Sequence, residues 1–400
     1  MILLYILLII SFLIFPFGTF VIAFILLFNK KTNEKLQTFC LIIIALFWSL
    51  LAFSQKSIAL EETDYIRYYE GYKIYQYLTP WMALKALDFS AYLTFVFTPI
   101  SVLFITITKN VQVVSFVWVF ISYMFTYLSI RILMKHLECY TRKNFATLIL
   151  ILTFCFMHFV QISELLKNAS AFAIFFYAFS CYLVNGWNGA SIFWFLISIG
   201  IHSSVLMMFP LFFYKLFKTQ YLLVIALILI PIFSNTNIFG YLFNLLPNNT
   251  YFQLLNNRYE WYTSYGQSGT LHYIAIQFAM LSLSVYLWIK SKRQIDYVSN
   301  IVLIYFIISL FNYTNLVAYL RLSIFSHWMF GIMLAYFIAL KGLHFDKYMK
   351  GIIVFMLFMT IRWTVVRTIP GGYSSSYMDN SITNIIFSST YEYLSVKYDE

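Results

Sequence analysis

Glu61, Glu62, Asp64 and Glu70 fall within ten positions of a chain that has 15 acidic residues among 400. The same stretch, EETDYIRYYEGYKIYQYL (61–78), holds six tyrosines. Tyr65, Tyr68, Tyr69, Tyr72 and Tyr75 recur at helical spacing, which predicts one aromatic face of an amphipathic helix. Asp64 and Arg67 stand at i,i+3 and can touch. Tyrosine faces stack on sugar rings, and a carboxylate and a guanidinium address hydroxyls or phosphate. The plainer alternative is an aromatic belt with a surface ion pair.

Two further places carry chemistry. In ISELLKNASAF (162–172), Glu164 and Lys167 join two apolar runs, and ionisable groups there are costly unless they snorkel, pair or work. Their i,i+3 spacing supports a snorkelling pair; catalysis or anion binding is the alternative. His202 stands in the apolar segment FLISIGIHSSVLMMFP, followed by Ser203 and Ser204. A histidine so placed serves as general base or as donor to phosphate or hydroxyl, unless it only bonds a neighbouring backbone group. No Ser/His/Asp spacing, HExxH or Gly-rich phosphate loop is present, and GGYSSSY (371–377) has no nucleotide fingerprint. Cys40, Cys139, Cys155 and Cys181 show no CxxC spacing, which argues against a metal or disulfide role.

The elements that hold these residues are membrane spans. The chain is 62% hydrophobic and 10% charged, with mean hydropathy +0.80. Soluble domains carry about a quarter charged residues, so the composition predicts an all-α polytopic membrane protein. Spans need about 20 apolar residues. Candidate runs are 2–28, 37–55, 91–108, 111–130, 145–163, 169–184, 190–214, 221–246, 271–289, 297–316, 323–340 and 351–366, giving about 11–13 transmembrane helices. Residues 2–28 read as one uncleaved span, having neither basic n-region nor cleavage site. The whole of 1–400 reads as a single multi-pass domain. Its polar interruptions are a loop at 56–90 with the Tyr-rich helix, a loop at 247–270 and a tail at 367–400.

The net charge of +11 is scattered over short loops, the positive-inside pattern, and needs no nucleic acid. NKKTNEK (29–35), RILMKHLECYTRK (131–143), KLFK (215–218), KSKRQ (290–294) and Lys341–Lys350 are then cytoplasmic. Both polar loops and the tail face outward. Two parity conflicts follow. They resolve if 91–108, broken by Pro99, re-enters or lies in the interface, and if 190–214 bends back near GIHSS (200–204). The alternative is that all twelve runs cross and 131–143 lies outside. We take the first, because re-entrant backbone is tolerated where protein covers it. The outward cations Arg67, Lys167, Arg258 and Arg321, with Arg362 and Arg367 as further candidates, are then left unexplained by insertion. Converging cations of this kind suit a diphosphate.

In order and texture the chain resembles the EpsG-like branch of the Wzy polysaccharide polymerases. The resemblance rests on DYIRYY (64–69), a basic inner loop MKHLECYTRKN, and ELLKNASA (164–171) against the family's NxxRQxxA. It continues with a helix holding His202-Ser203 and a Tyr-rich loop RYEWYTSYGQSG (258–269). Lys167 stands where the family usually has Arg, Asn168 where it has Gln and Glu164 where it has Asn. Lysine keeps the charge without the bidentate fork. The resemblance implies a metal-independent glycosyltransferase, without cofactor, on the outer leaflet of a bacterial cytoplasmic membrane. It would join undecaprenyl-diphosphate-linked oligosaccharide repeats. His202, Asp64 and Glu164 are the implied catalytic groups. Arg67, Lys167, Arg258, Arg321, Tyr68 and Tyr69 are the diphosphate or glycan contacts. Implied partners are membrane lipid, a chain-length regulator and the flippase of the same pathway. A lipid-linked oligosaccharide flippase, a membrane acyltransferase using His202 and an O-antigen ligase are the competing readings.

Overall fold

The computed structural model describes residues 2–57, 64–87, 94–233, 270–291, 296–311, 316–368 and 375–397. The 247–270 loop with Arg258 lies outside them, as do the side chains of Asp64, Tyr65, Arg67 and Arg367. Apart from one short strand pair, the described elements are helical, as the composition requires. Among the described residues, five stretches are long and apolar enough to cross a membrane: Glu34–Phe53, Val113–His136, Leu166–Asn185, Arg321–Lys341 and Lys347–Val365. The chain divides into two compact units, Met1–Ser203 with Ile353–Glu400, and Ser204–Ile352.

The apolar run 2–28, expected as one span, is divided in the first unit. Residues 2–28 form two helices, α1 (Ile2–Ile14) and α2 (Pro16–Phe28). Pro16 disfavours helical backbone at Phe15 and sits in the first turn of α2, where its missing N–H costs nothing. Ser11 Oγ lies 2.7 Å from Thr19 Oγ1, whereas eight residues of straight helix span about 12 Å. The chain therefore folds back at Phe15. Each arm, thirteen residues long, measures about 20 Å, short of the roughly 30 Å hydrocarbon core.

Helix α3 (Glu34–Phe53) starts on an Asn33 cap, whose side chain accepts the Leu36 N–H. Strand β1 (Gln55–Ser57), α4 (Asp64–Tyr72), a 3₁₀ turn (Lys73–Tyr77) and α5 (Pro80–Lys85) follow. Next come α6 (Phe97–Thr108) and α7 (Val113–His136). Helices α3 and α7 run antiparallel and are tied at both ends. Gln112 Nε2 donates to the Phe53 carbonyl at 2.7 Å, and Lys135 Nζ meets Glu34 Oε1 at 2.8 Å. Along α7, Ser122, Thr126 and Ser129 return their hydroxyls to carbonyls four residues back, so small polar side chains cost little inside an apolar bundle.

Helix α6 does not cross. Its Phe97 ring stacks on Trp118 at 4.6 Å, and Trp118 Nε1 donates to Ser101 Oγ at 2.8 Å. Trp118 lies six residues into α7 from Gln112, about 9 Å below that end. Helix α6 thus begins inside the bundle and climbs to Lys109, whose left-handed backbone (φ 57°) turns the chain into α7.

The run at 145–163 is broken rather than continuous. It comprises α8 (Arg142–Ile151), a π turn (Leu152–Phe156), an interruption at Met157–His158 and α9 (Phe159–Glu164). Leu165 (φ −108°, ψ 50°) interrupts it again before α10 (Leu166–Asn185). Asn188 and Ser191 form a capping box at the start of α11 (Gly189–Ile201), which ends at His202 in extended backbone (φ −153°, ψ 122°). The run 190–214 is therefore divided there, its remainder being a 3₁₀ stretch, Ser203–Leu216.

In the second unit, α12 (Thr219–Phe233), α13 (Thr270–Lys290), α14 (Asp296–Phe311), α15 (Leu316–Ser323) and α16 (Ser326–Lys341) follow. The Asn300 amide donates to the Tyr214 carbonyl at 3.0 Å, and Asn300 Oδ1 accepts from Thr219 at 2.8 Å. Asp346 receives the Met349 N–H at 3.0 Å and the Tyr286 hydroxyl, which hold its carboxyl below the usual carboxylate range.

Helix α17 (Lys347–Thr368) returns the chain to the first unit, where Thr360 bonds the Cys155 carbonyl at 2.9 Å. Strand β2 (Ser375–Tyr377) pairs antiparallel with β1, Gln55 opposite Tyr377. Helices α18 (Ile382–Phe387) and α19 (Thr390–Ser395) then lie on the N-terminal hairpin. Thr390 Oγ1 donates to the Phe12 carbonyl at 2.7 Å, and Tyr393 is fully buried beside Phe47.

The two ends of α7 are expected on opposite membrane faces. The four native cysteines are all buried and give little background to an impermeant thiol reagent. In intact cells, cysteine at Asn110 should react and cysteine at His136 should not; equal labelling of both would refute the crossing.

Candidate functional site

Helices α4, α6 and α10 meet at one cation. The Lys167 ammonium lies 4.8 Å from the centroid of the Tyr68 ring and 5.1 Å from that of Phe97. Tyr68 in turn lies 5.7 Å from Phe97 and stacks on Tyr72 at 6.4 Å. The Tyr72 hydroxyl is 3.3 Å from Thr98 Oγ1. A cation over an aromatic face gains about 0.5–2 kcal/mol, the upper end when desolvated, and keeps its formal charge. Tyr69, Tyr72 and Tyr75 are buried, so this face of the 64–77 segment packs inward and is not a lipid-facing belt.

Lys167 is the second residue of α10, whose N-cap position, Leu165, offers no side-chain oxygen to the first turn. The leading N–H groups of a helix present partial positive charge, and here the first turn also carries a lysine. Glu164 ends α9 on the other side of the Leu165 break and is 6% exposed. Glu164 and Lys167 thus stand on either side of the Leu165 break, at the end of α9 and the start of α10.

His202 arrives from α11. The Val96 N–H donates to the Gly200 carbonyl at 2.8 Å, one residue before Phe97. A Cβ on Gly200 would meet Val96 Cγ2 at 2.5 Å and the Phe95 ring at 2.6 Å, so glycine permits the approach. The half-buried His202 therefore lies on the chain two residues beyond a backbone bond to the α6 entrance.

A second group of polar residues, of which only Asn168 was singled out from the sequence, borders the breaks on either side of α9. Ser163 Oγ lies 2.6 Å from the Tyr377 hydroxyl, and Thr153 Oγ1 lies 3.0 Å from the Tyr127 hydroxyl. His158, Gln161 and Asn168 are each 1% exposed. Trp48 stacks on Tyr123 at 5.7 Å and reaches Phe159 at 5.0 Å, and Phe159 meets Tyr377 at 5.1 Å. His158 and Gln161 sit in a run taken as apolar; two polar groups three residues apart within a span were the signal. Tyr377 had no local signal.

Of the residues expected in the site, the structure joins Tyr68 and Lys167 directly and brings the elements of Tyr69, Glu164 and His202 beside them. Asp64 and Arg67 lie on α4. Arg321 belongs to the second unit, half-buried near the end of α15 and before the Ile324–Phe325 break. On that helix the Tyr319 hydroxyl donates to Gln277 Oε1 at 3.0 Å. Arg362 is exposed on α17.

Broken helices meeting at charged and aromatic side chains define a multi-pass α-helical membrane protein with a polar site inside the bundle. Residues 37–378 match the model of the EpsG family, and the chain belongs to that family. Membership points to a polymerase-like role in glycan biosynthesis. No curated protein and no solved structure matches the chain.

The Tyr377–Ser163 bond is expected to hold the tail on the α9 break. Tyr377→Phe should cost about 0.5–1.5 kcal/mol, the net worth of one buried hydrogen bond. The readouts are thermal unfolding in detergent and faster proteolysis of residues beyond 378. An unchanged melting temperature and cleavage rate would show that the bond contributes nothing.

Proposed function

We propose that this protein is a polysaccharide polymerase that joins undecaprenyl-diphosphate-linked oligosaccharide repeats on the outer face of the bacterial cytoplasmic membrane. The observation that carries the reading is the Lys167 ammonium, fixed by two aromatic rings in the uncapped first turn of a helix inside the bundle. Cation and helix terminus together suit a phosphate group. Arg67, Arg258 and Arg321 are the further cations that the family resemblance offers as diphosphate or glycan contacts.

In the reaction, a hydroxyl oxygen of one repeat attacks the anomeric carbon of the reducing-end sugar on another lipid. The new C–O bond forms as the bond from that carbon to the diphosphate breaks. The hydroxyl proton passes to His202, Glu164 or Asp64, and undecaprenyl diphosphate leaves carrying the electron pair. Charge grows on the leaving oxygen, where Lys167 and the α10 terminus stabilise it without reorganising. No metal is assigned a step. Tyr68 holds the ammonium in place, and Tyr69 is a proposed glycan contact on the same helix.

Purified protein given lipid-linked repeats, with product length as readout, tests the assignment. Lys167→Ala should lower the rate about ten- to a hundredfold, the range for a charge-assisted bond of roughly 1.5–3 kcal/mol. Lys167→Arg should retain activity, since arginine also stacks on aromatic rings and carries the charge. Full activity in Lys167→Ala would remove the phosphate assignment.

His202→Ala should leave folded protein in the membrane and lower the rate at least about a hundredfold, the usual contribution of general acid–base catalysis. Normal polymer from this variant would return His202 to a capping role at the end of α11. Transfer of lipid-linked oligosaccharide across vesicles without chain growth would identify a flippase instead.

A further inference from the structure

On the side of α3 and α7 away from Tyr377, a cavity of about 560 Å³ lies among α1, α3, α6 and α7, with α19 over one end. It follows α3 from Phe39 to Phe53, about 21 Å at helical rise. That is somewhat longer than one leaflet's share of a roughly 30 Å hydrocarbon core. Ile43, Leu46 and Phe116 form the floor. Ile9 and Leu13 line it yet remain 50% and 55% exposed, so the slot is open sideways to the surrounding hydrocarbon.

Three lining residues carry polar side chains, and the protein already uses each of them. Thr390 donates to the Phe12 carbonyl at 2.7 Å and Thr108 to the Phe104 carbonyl at 2.8 Å. Asn110 Oδ1 accepts the Gln112 N–H at 2.8 Å. Such a lining has little to hold water, which needs two to four polar partners. Thr108 and Asn110 stand at the Phe53 end and flank Lys109, whose ammonium reaches the Leu78 carbonyl at 2.7 Å. Positive charge thus stands beside one mouth of a slot whose lining is largely apolar.

We infer that this slot holds one acyl chain of a bilayer phospholipid, with the lipid phosphate at the Thr108–Asn110 mouth beside Lys109. An ordinary acyl chain has the length of the slot, whereas a long polyprenyl chain would leave most of itself outside. The occupant seals α1 against α3 and supports α19, which closes the slot through Thr390 and Leu394. The inference goes beyond the polymerase reading and does not depend on it.

The test is lipid retention by the full-length protein after extensive detergent exchange, followed by mass spectrometry of the intact protein and of the extracted lipid. Wild type is expected to keep about one phospholipid per chain. Leu46→Trp, which fills the slot, should reduce occupancy at least about tenfold, equivalent to roughly 1.4 kcal/mol, while Val354→Trp, on the exposed face of α17, should not. Should Leu46→Trp fail to fold, Ile43→Phe gives the milder version of the same loss. Delipidated protein offered phosphatidylglycerol vesicles or polyprenyl phosphate in separate arms should take up the phospholipid. Retention of polyprenyl phosphate instead, retention of neither, or equal retention by the slot-filled and control variants would overturn the assignment.

Discussion

The Lys167 ammonium over the Tyr68 and Phe97 rings is the contact on which the arrangement of the first unit turns. A charged side chain inside an apolar bundle is costly, and the two ring faces offset part of that cost. To receive the charge, α4 must bring a tyrosine inward from a polar loop, and α6 must start within the bundle instead of crossing it. Helix α10 must also begin well inside, so the preceding helix has to stop at Leu165. The Phe97–Trp118 stack and the Trp118–Ser101 bond set the depth of α6, and α7 holds that depth through its ties to both ends of α3.

Backbone satisfaction explains where the irregularities can sit. In hydrocarbon an unpaired N–H or C=O is expensive, so broken helices survive only where protein covers them. The interruptions at Met157–His158 and Leu165 both lie among buried residues of α3, α7 and the tail. Where α6 begins, the Val96 N–H takes the Gly200 carbonyl from α11. Glycine at 200 and histidine at 202 are parts of one local solution: the first lets the chains approach, and the second ends the helix in extended backbone at that approach.

The helical class and the five long spans were legible because apolar runs register directly in composition. The charged interruption at 164–167 was legible for the same reason, since Glu164 and Lys167 contrast with the runs around them. The hairpin at Phe15–Pro16 was obscured because both arms are apolar; hydropathy does not report a reversal, although Pro16 marked the place. His158 and Gln161 were absorbed into the run at 145–163, whose average hides two polar residues. Tyr377 was out of reach in principle. Its partner Ser163 lies 214 positions away, and the short strand that delivers it, SSY, reads locally as loop.

The tail also carries strain that local sequence does not justify. Met378, Asp379 and Asn380 have φ of 49°, 55° and 54°, a left-handed region that asparagine and aspartate tolerate and methionine enters rarely. Such residues cost on the order of 1–3 kcal/mol each and persist only where their surroundings over-determine them. Here the surroundings are specific. The β1 pairing fixes Tyr377, the Lys56–Asp379 ion pair at 3.2 Å anchors the turn, and Asn380 Oδ1 accepts the Tyr377 N–H at 3.0 Å. All three contacts act on the residues that place the Tyr377 hydroxyl against Ser163, one position before Glu164. The strained turn therefore holds the Tyr377 hydroxyl against the end of α9, one residue before Glu164 and on the far side of Leu165 from Lys167.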